Sequence, residues 1–169
     1  MSSMCKVFAA VIVLLGVNVS SVLAMGSIPT SMVKEGAGKA AANFKLDTLT
    51  QTQVDMAKYR DGKKAIIFFW ATWCPHCREQ IKELNAQGPS ILQKGIKILL
   101  VDIGEDADEV KAHAARNKIN FDIFLDKDST VAEEYQIIGV PTFYFIDEKG
   151  VVVAVTHALP ENLEEVFKK

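Results

Sequence analysis

The chain has 169 residues, 49% of them hydrophobic and 24% charged, with a formal net charge of −2 from 19 basic and 21 acidic side chains. That length accommodates one domain with a sizeable core. The near-balanced charge argues against nucleic acid and against an anionic membrane surface as the main partner.

In chain order the first segment is MSSMCKVFAAVIVLLGVNVSSVLAM. Lys6 precedes an apolar run from Val7 to Val17, too short to span a bilayer. Asn18, Ser20 and Ser21 interrupt the run, and Val22-Leu23-Ala24 puts small residues where a signal peptidase cuts. Residues 1–24 are expected to be a cleaved secretory signal, with an uncleaved membrane anchor as the alternative. Either way the remainder is delivered to the periplasm or another extracytoplasmic compartment. Cleavage would remove Cys5 and leave two cysteines, Cys74 and Cys77. Residues 25–42 are small, glycine-bearing and aperiodic, and read as a flexible lead-in to a domain over 43–169.

Residues 43–49 have strand character, and Asp61-Gly62 punctuates the stretch that follows. KAIIFFW, 64–70, is a continuous apolar run of strand length, expected to be buried on both faces. CPHCREQIKELNAQ has helical spacing, with Cys77, Ile81 and Leu84 on one side and Pro75 in its first turn; Gly88-Pro89 should end or kink it. A buried strand over 96–103 and an acid-started, base-ended helix over 105–118 come next. Then follow a strand over 121–126 and a short helix over 128–135 with Asp128 as its N-cap. A hairpin of 141–147 and 151–156 precedes a closing helix over 160–169. Strands alternating with helices imply parallel pairing, and the hairpin adds an antiparallel edge, so the fold class is an α/β sandwich with a mixed sheet.

The two cysteines allow three readings. As a staple, the four-residue ring is valued at roughly 1.9 kcal/mol by chain entropy, against about 3 kcal/mol for a fifteen-residue loop. A domain this rich in Ile, Val and Phe gains little from it. As a zinc site, the pair lacks partners. His76 points away from both sulfurs at a helix start, and His113 and His157 read as solvated surface residues. As a redox centre, the pair has a mechanism. The motif follows a buried strand and opens a helix, so Cys74 meets the unpaired N–H groups and positive dipole end, which stabilise a thiolate. Cys77 follows almost one turn later on the same side, near enough for a disulfide but deeper. Cys74 is then the nucleophile and Cys77 the resolver.

FFWATWCPHC, followed 64 residues after Cys77 by Pro141 within GVPTFYFID, resembles the thioredoxin-fold superfamily in its secreted TlpA/ResA-like branch, over roughly residues 40–169. The resemblance implies a thioredoxin-like sandwich: a mixed central β-sheet flanked by helices, with one extra β-α unit between the CxxC motif and a cis-proline. It implies a thiol-disulfide oxidoreductase acting in cytochrome c maturation or periplasmic disulfide reduction, working without metal or cofactor. Its partners would be proteins bearing thiols or disulfides, with a membrane thiol-disulfide protein as electron donor and the chain itself a monomer. Pro141 would be cis against the disulfide, and Val140 would offer its backbone to an extended substrate segment. Trp73 would either shield the site or be an ordinary buried aromatic, and Trp70 would be core. Pro75-His76 resembles the DsbA-type oxidases, and His76 near Cys74 would favour the thiolate. The expected potential lies between about −270 mV for thioredoxin and about −120 mV for DsbA.

Two positions depart from the pattern. The buried acid that thioredoxins carry six residues before the first cysteine is Phe68 here. The glutamate that cytochrome-maturation members carry three residues after the second cysteine is Gln80, with Glu79 beside it as a solvated helix residue. Two rival functions follow from the same fold. A peroxiredoxin-like peroxidase would need proline and threonine where Ile67 and Ala71 stand. A non-enzymatic binding module would have no use for an intact CxxC with its cis-proline motif.

Overall fold

The computed structural model describes residues 37–168. The expected signal over 1–24, with Cys5, and most of the lead-in lie outside the described residues. The described end of that segment is not a flexible lead-in, because Gly38 and Ala41 donate to Val152 O and Gly150 O and Lys39 O accepts the Val152 N–H, which joins residues 38–41 to the domain.

Strand β3 (Ala65–Trp70) is the apolar run read above, and all six of its residues are buried. Alternation along it divides the core. Ile66, Phe68 and Trp70 face one side, while Ala65, Ile67 and Phe69 face the other. Its neighbours are β4 (Lys97–Ile103), parallel to it, and β6 (Thr142–Ile146), antiparallel. With β1 (Lys45–Thr48), β2 (Val54–Asp55), β5 (Asp122–Asp126) and β7 (Val152–Thr156) they form one seven-stranded mixed sheet, in the order β2-β1-β5-β4-β3-β6-β7. Only β3-β4 and β4-β5 are parallel, so both edges of the sheet are antiparallel.

Helices cover both faces. Ile81, Leu84 and Ile91 of α2 (Pro75–Gln93), Val110 and Ala114 of α3 (Ala107–Arg116) and Leu163 and Val166 of α5 (Leu163–Val166) pack on the Phe68 side. Met56 of α1 (Met56–Arg60) and Val131 of α4 (Thr130–Glu134) pack on the Phe69 side. Two strand-helix units, β4-α3 and β5-α4, stand between the cysteine motif and Pro141.

Four details differ from the sequence expectation. The stretch after β1 holds a short strand and a helix, β2 and α1, the helix capped by the Asp55 side chain accepting from Lys58 N–H. Their shortness hides any period. Helix α2 does not stop at Gly88-Pro89 but runs on to Gln93. Pro89 is exposed there, where one lost backbone bond costs least, and Gly88 lies against the Phe121 ring, which a Cβ would strike. Asp128 does not cap α4. The N-cap is Ser129 and makes no side-chain bond, while buried Asp126 accepts from the N–H groups of Val131 and Ala132 at 3.1 and 2.7 Å. The closing helix is only Leu163–Val166, started by the Asn162 side chain rather than by Pro160.

Candidate active site

The site is built where β3 ends and α2 begins. Trp70 is the last strand residue, Ala71 to Trp73 make a turn closed by the Cys74 N–H donating to Ala71 O at 3.2 Å, and Cys74 is the N-cap of α2. Cys74 and Cys77 form a disulfide with their Cα atoms 5.3 Å apart. The backbone N–H of Cys77 donates to Cys74 Sγ at 3.1 Å. This sulfur therefore occupies the place that a Ser or Asp oxygen takes at an ordinary N-cap. A thiolate left there by reduction meets the same N–H and the positive end of a 19-residue helix dipole. Pro75 is the first helical residue, where its missing N–H costs nothing. Both cysteines are largely covered, Cys74 at 3% exposure and Cys77 at 0%, so the outer sulfur is outer by a narrow margin.

The second wall comes from far along the chain. β6 pairs with β3, and the residues just before it bring the Val140–Pro141 peptide, which is cis, to the disulfide. Val140 O lies 3.7 Å from Cys74 Sγ. Beside it runs a groove of about 1070 Å³, lined by Ile138, Gly139, Val140, Pro141, Tyr144 and His157 among others. Ile138 is 98% exposed and Trp73 68%. Trp73 is therefore not a buried aromatic, whereas Trp70 is fully buried as core.

His76 does not turn onto the sulfurs. Its side chain is exposed, and Nδ1 lies 3.6 Å from the Glu79 carboxylate, which is itself solvated as expected. Gln80 uses its side-chain oxygen to accept the Leu159 N–H at 2.7 Å, tying α2 to the segment before α5. Phe68 is fully buried and stacks on Phe143 at 4.3 Å between ring centres. Neither of these positions brings an acid to Cys77.

Of the two other histidines, only His113 departs from the surface reading. His113 is buried at 4% exposure on the inner face of α3, its ring 5.4 Å from Trp70, and burial, with Arg116, holds its pKa below the usual histidine value. Its spacing with Val110 and Ala114 on one helical face was the available signal. His157 is exposed as expected, but its Nδ1 lies 3.0 Å from Pro141 O and 3.3 Å from Thr142 Oγ1, so it touches the cis-proline segment. Sequence reasoning also missed Glu105, a buried acid that accepts both the N–H and the hydroxyl of Thr72, at 2.6 and 2.5 Å. No short-range pattern connects those two residues.

Comparison with known proteins agrees with this geometry. A model of the AhpC/TSA family matches residues 37–155. Thiol-disulfide oxidoreductase ResA of Bacillus thuringiensis subsp. konkukian (strain 97-27) is 30% identical over 134 residues, covering 78% of this chain and 77% of that protein. Among solved structures, a Chlorobium tepidum protein described as a DsbE thiol:disulfide interchange protein superposes with a TM-score of 0.70 at 25% identity, over 77% of this chain and 94% of that one. StoA from Bacillus subtilis superposes with a TM-score of 0.64, also at 25% identity, over 75% and 96% of the two chains.

Proposed function

The chain belongs to the AhpC/TSA family and is a ResA-like thiol-disulfide oxidoreductase acting on thiol- or disulfide-bearing proteins, and from that premise we propose that Cys74 is its nucleophile and Cys77 its resolving thiol. The observation that carries the assignment is the Cys77 N–H aimed at Cys74 Sγ at the start of α2. In the reducing direction the Cys74 thiolate attacks one sulfur of a partner disulfide. The partner S–S bond breaks, and its second sulfur leaves as a thiolate that takes a proton. Cys77, once deprotonated, attacks Cys74 Sγ, restores the intramolecular disulfide and expels the remaining partner sulfur. Two electrons pass from the dithiol to the partner, and the reverse sequence oxidises a partner dithiol. Val140 and Pro141 supply the backbone edge along which an extended partner segment lies, and Trp73 and Ile138 flank it with apolar surface.

The setting is part of the same reading. Residues 1–24 act as a secretory signal, the working domain takes in residues 38–41 as well as the expected 43–169, and the enzyme operates as an extracytoplasmic monomer. A membrane thiol-disulfide protein then returns the site to its starting redox state. The Lys6-plus-apolar pattern and the Val22-Leu23-Ala24 segment support the export part of this reading.

Insulin reduction and a titration against glutathione test the chemistry. The pair should open and close reversibly, at a potential between about −270 and about −120 mV. Alkylation of the reduced protein near neutral pH should modify Cys74 before Cys77, and preferential labelling of Cys77 would reverse the assignment. A Cys77→Ala variant should accumulate mixed disulfides through Cys74 and so capture the physiological partner. A disulfide that no physiological couple opens would make the pair a structural staple.

A further inference from the structure

β4 reads KILLVDI, and Asp102 is the one acid in it. The parallel register sets Asp102 beside Trp70, the last residue before the active-site turn. Asp102 is fully buried, and among the described residues no N–H or O–H donor reaches either of its carboxyl oxygens. A bare carboxylate in that position is costly. What it faces is Glu105, three residues on, whose two oxygens hold Thr72. Two carboxyl groups can pair only if one of them carries a proton and donates it to the other.

We propose that Asp102 and Glu105 share a single proton beneath the active-site turn and act as a positioning pair, Asp102 holding Glu105 and Glu105 holding Thr72 two residues before the nucleophile. The proposal rests on the dithiol–disulfide reading only in that Cys74 is the group being positioned. The surroundings fix where the proton sits. Burial first, and then the facing groups Glu105, Glu109 of α3 and Asp126 of β5, push the Asp102 carboxyl up to about 9. His113, on the same side of α3, is held toward its neutral form by burial, Arg116 and Arg78, so it does not offset the acidic groups. Glu105, with two donors from Thr72, is the acceptor of the pair.

The consequence lies at the nucleophile. Thr72 belongs to the turn that the Cys74 N–H closes onto Ala71 O, and that turn aims Cys74 Sγ at the Cys77 N–H. Loss of the shared proton leaves two carboxylates side by side in a poorly solvated site, where like charges repel strongly. Glu105, at 9% exposure against 0% for Asp102, is the member nearer to solvent and the one that can leave. Its departure releases Thr72 and misaligns the sulfur. Cys74 reactivity should therefore rise with pH as the thiolate forms, then fall as Asp102 ionises.

The test is the rate of iodoacetamide alkylation of Cys74 in the phosphine-reduced full chain, followed from about pH 6 to about pH 11. The wild type should show a rise and then a severalfold fall centred near the Asp102 titration. In Asp102→Asn the amide still donates to Glu105 but cannot ionise, so the rise should end in a plateau. Thr72→Val should slow alkylation severalfold across the range, and Thr72→Ser should restore it. Carbon-13 NMR of the aspartate carboxyls provides a second readout on the wild type alone, where one carboxyl should titrate far above the ordinary aspartate range. Matching rate profiles in wild type and Asp102→Asn, whatever their melting temperatures, would overturn the proposal, as would the absence of a high-titrating carboxyl. Because phosphine opens the pair regardless of its potential, these outcomes are independent of whether glutathione can cycle it.

Discussion

His76 separates the two cysteines in sequence, yet its imidazole faces water and the Glu79 carboxylate rather than a sulfur. A protonated ring in the first turn still favours a thiolate at Cys74, but at longer range and partly neutralised by Glu79. His76→Leu should therefore lower the potential by less than about 30 mV, the equivalent of one pKa unit or about 1.4 kcal/mol. Glutathione equilibrium and thiolate absorbance against pH measure it, and a larger drop would mean that the ring swings onto the sulfur in the reduced state. His113 gives the opposite case, a histidine whose effect is on stability. Its folded-state pKa lies below the unfolded value of 6.5, chiefly because it is buried. As pH falls below the unfolded value the unfolded chain binds a proton that the folded chain refuses, so stability is lost through that window and is fully present above it. His113→Phe keeps a ring against Trp70 and removes the titration, so the difference in Tm between neutral and mildly acidic buffer should shrink. An unchanged difference would assign the acid sensitivity to other groups.

The elements differ in how locally they are specified. α4 is a five-residue helix whose own N-cap makes no side-chain bond, and it is started by Asp126 at the end of β5, which takes two of its orphan N–H groups. Asp126→Ala should cost about 1–2 kcal/mol in urea unfolding, while Asp128→Ala should stay within about 0.5 kcal/mol. Equal costs would restore the cap to Asp128. α2 is specified by contact as well as by pattern. Leu84, Gly88 and Ile91 are buried along it, and the chain continues through Pro89 with Gly88 flat against Phe121 of the strand approach. Local punctuation at Gly88-Pro89 is thereby overridden by tertiary packing.

At the scale of the whole molecule, the disulfide contributes little to holding the fold. The sheet and its two core faces close without it, and the ring it makes spans a separation of only three residues. Reduction instead places a thiolate on the Cys77 N–H and the helix dipole, which favours the reduced form. The reduced protein should thus melt at the same temperature as the oxidised one or higher, at neutral pH in matched buffers. A markedly lower Tm on reduction would return the pair to a structural role.

The sequence by itself determined the parts whose information is local or strongly periodic. β3 and β4 were legible as apolar runs, α3 as an acid-started, base-ended stretch, and Cys74 and Cys77 as a pair because strand, cysteine and helix adjoin in the chain. Pro141 was legible through its Gly-Val-Pro-Thr context. The tertiary structure alone decided which side chains meet across the sheet. Glu105 reaches Thr72 from 33 residues away, His113 turns inward onto Trp70, His157 touches Pro141 from just past the end of β7, and Asp102 is left facing another acid. A period reports which face of an element is buried, and a motif reports what adjoins in the chain. Neither encodes the register between strands, and it is the pairing of Trp70 with Asp102 that places a buried acid under the turn carrying the nucleophile.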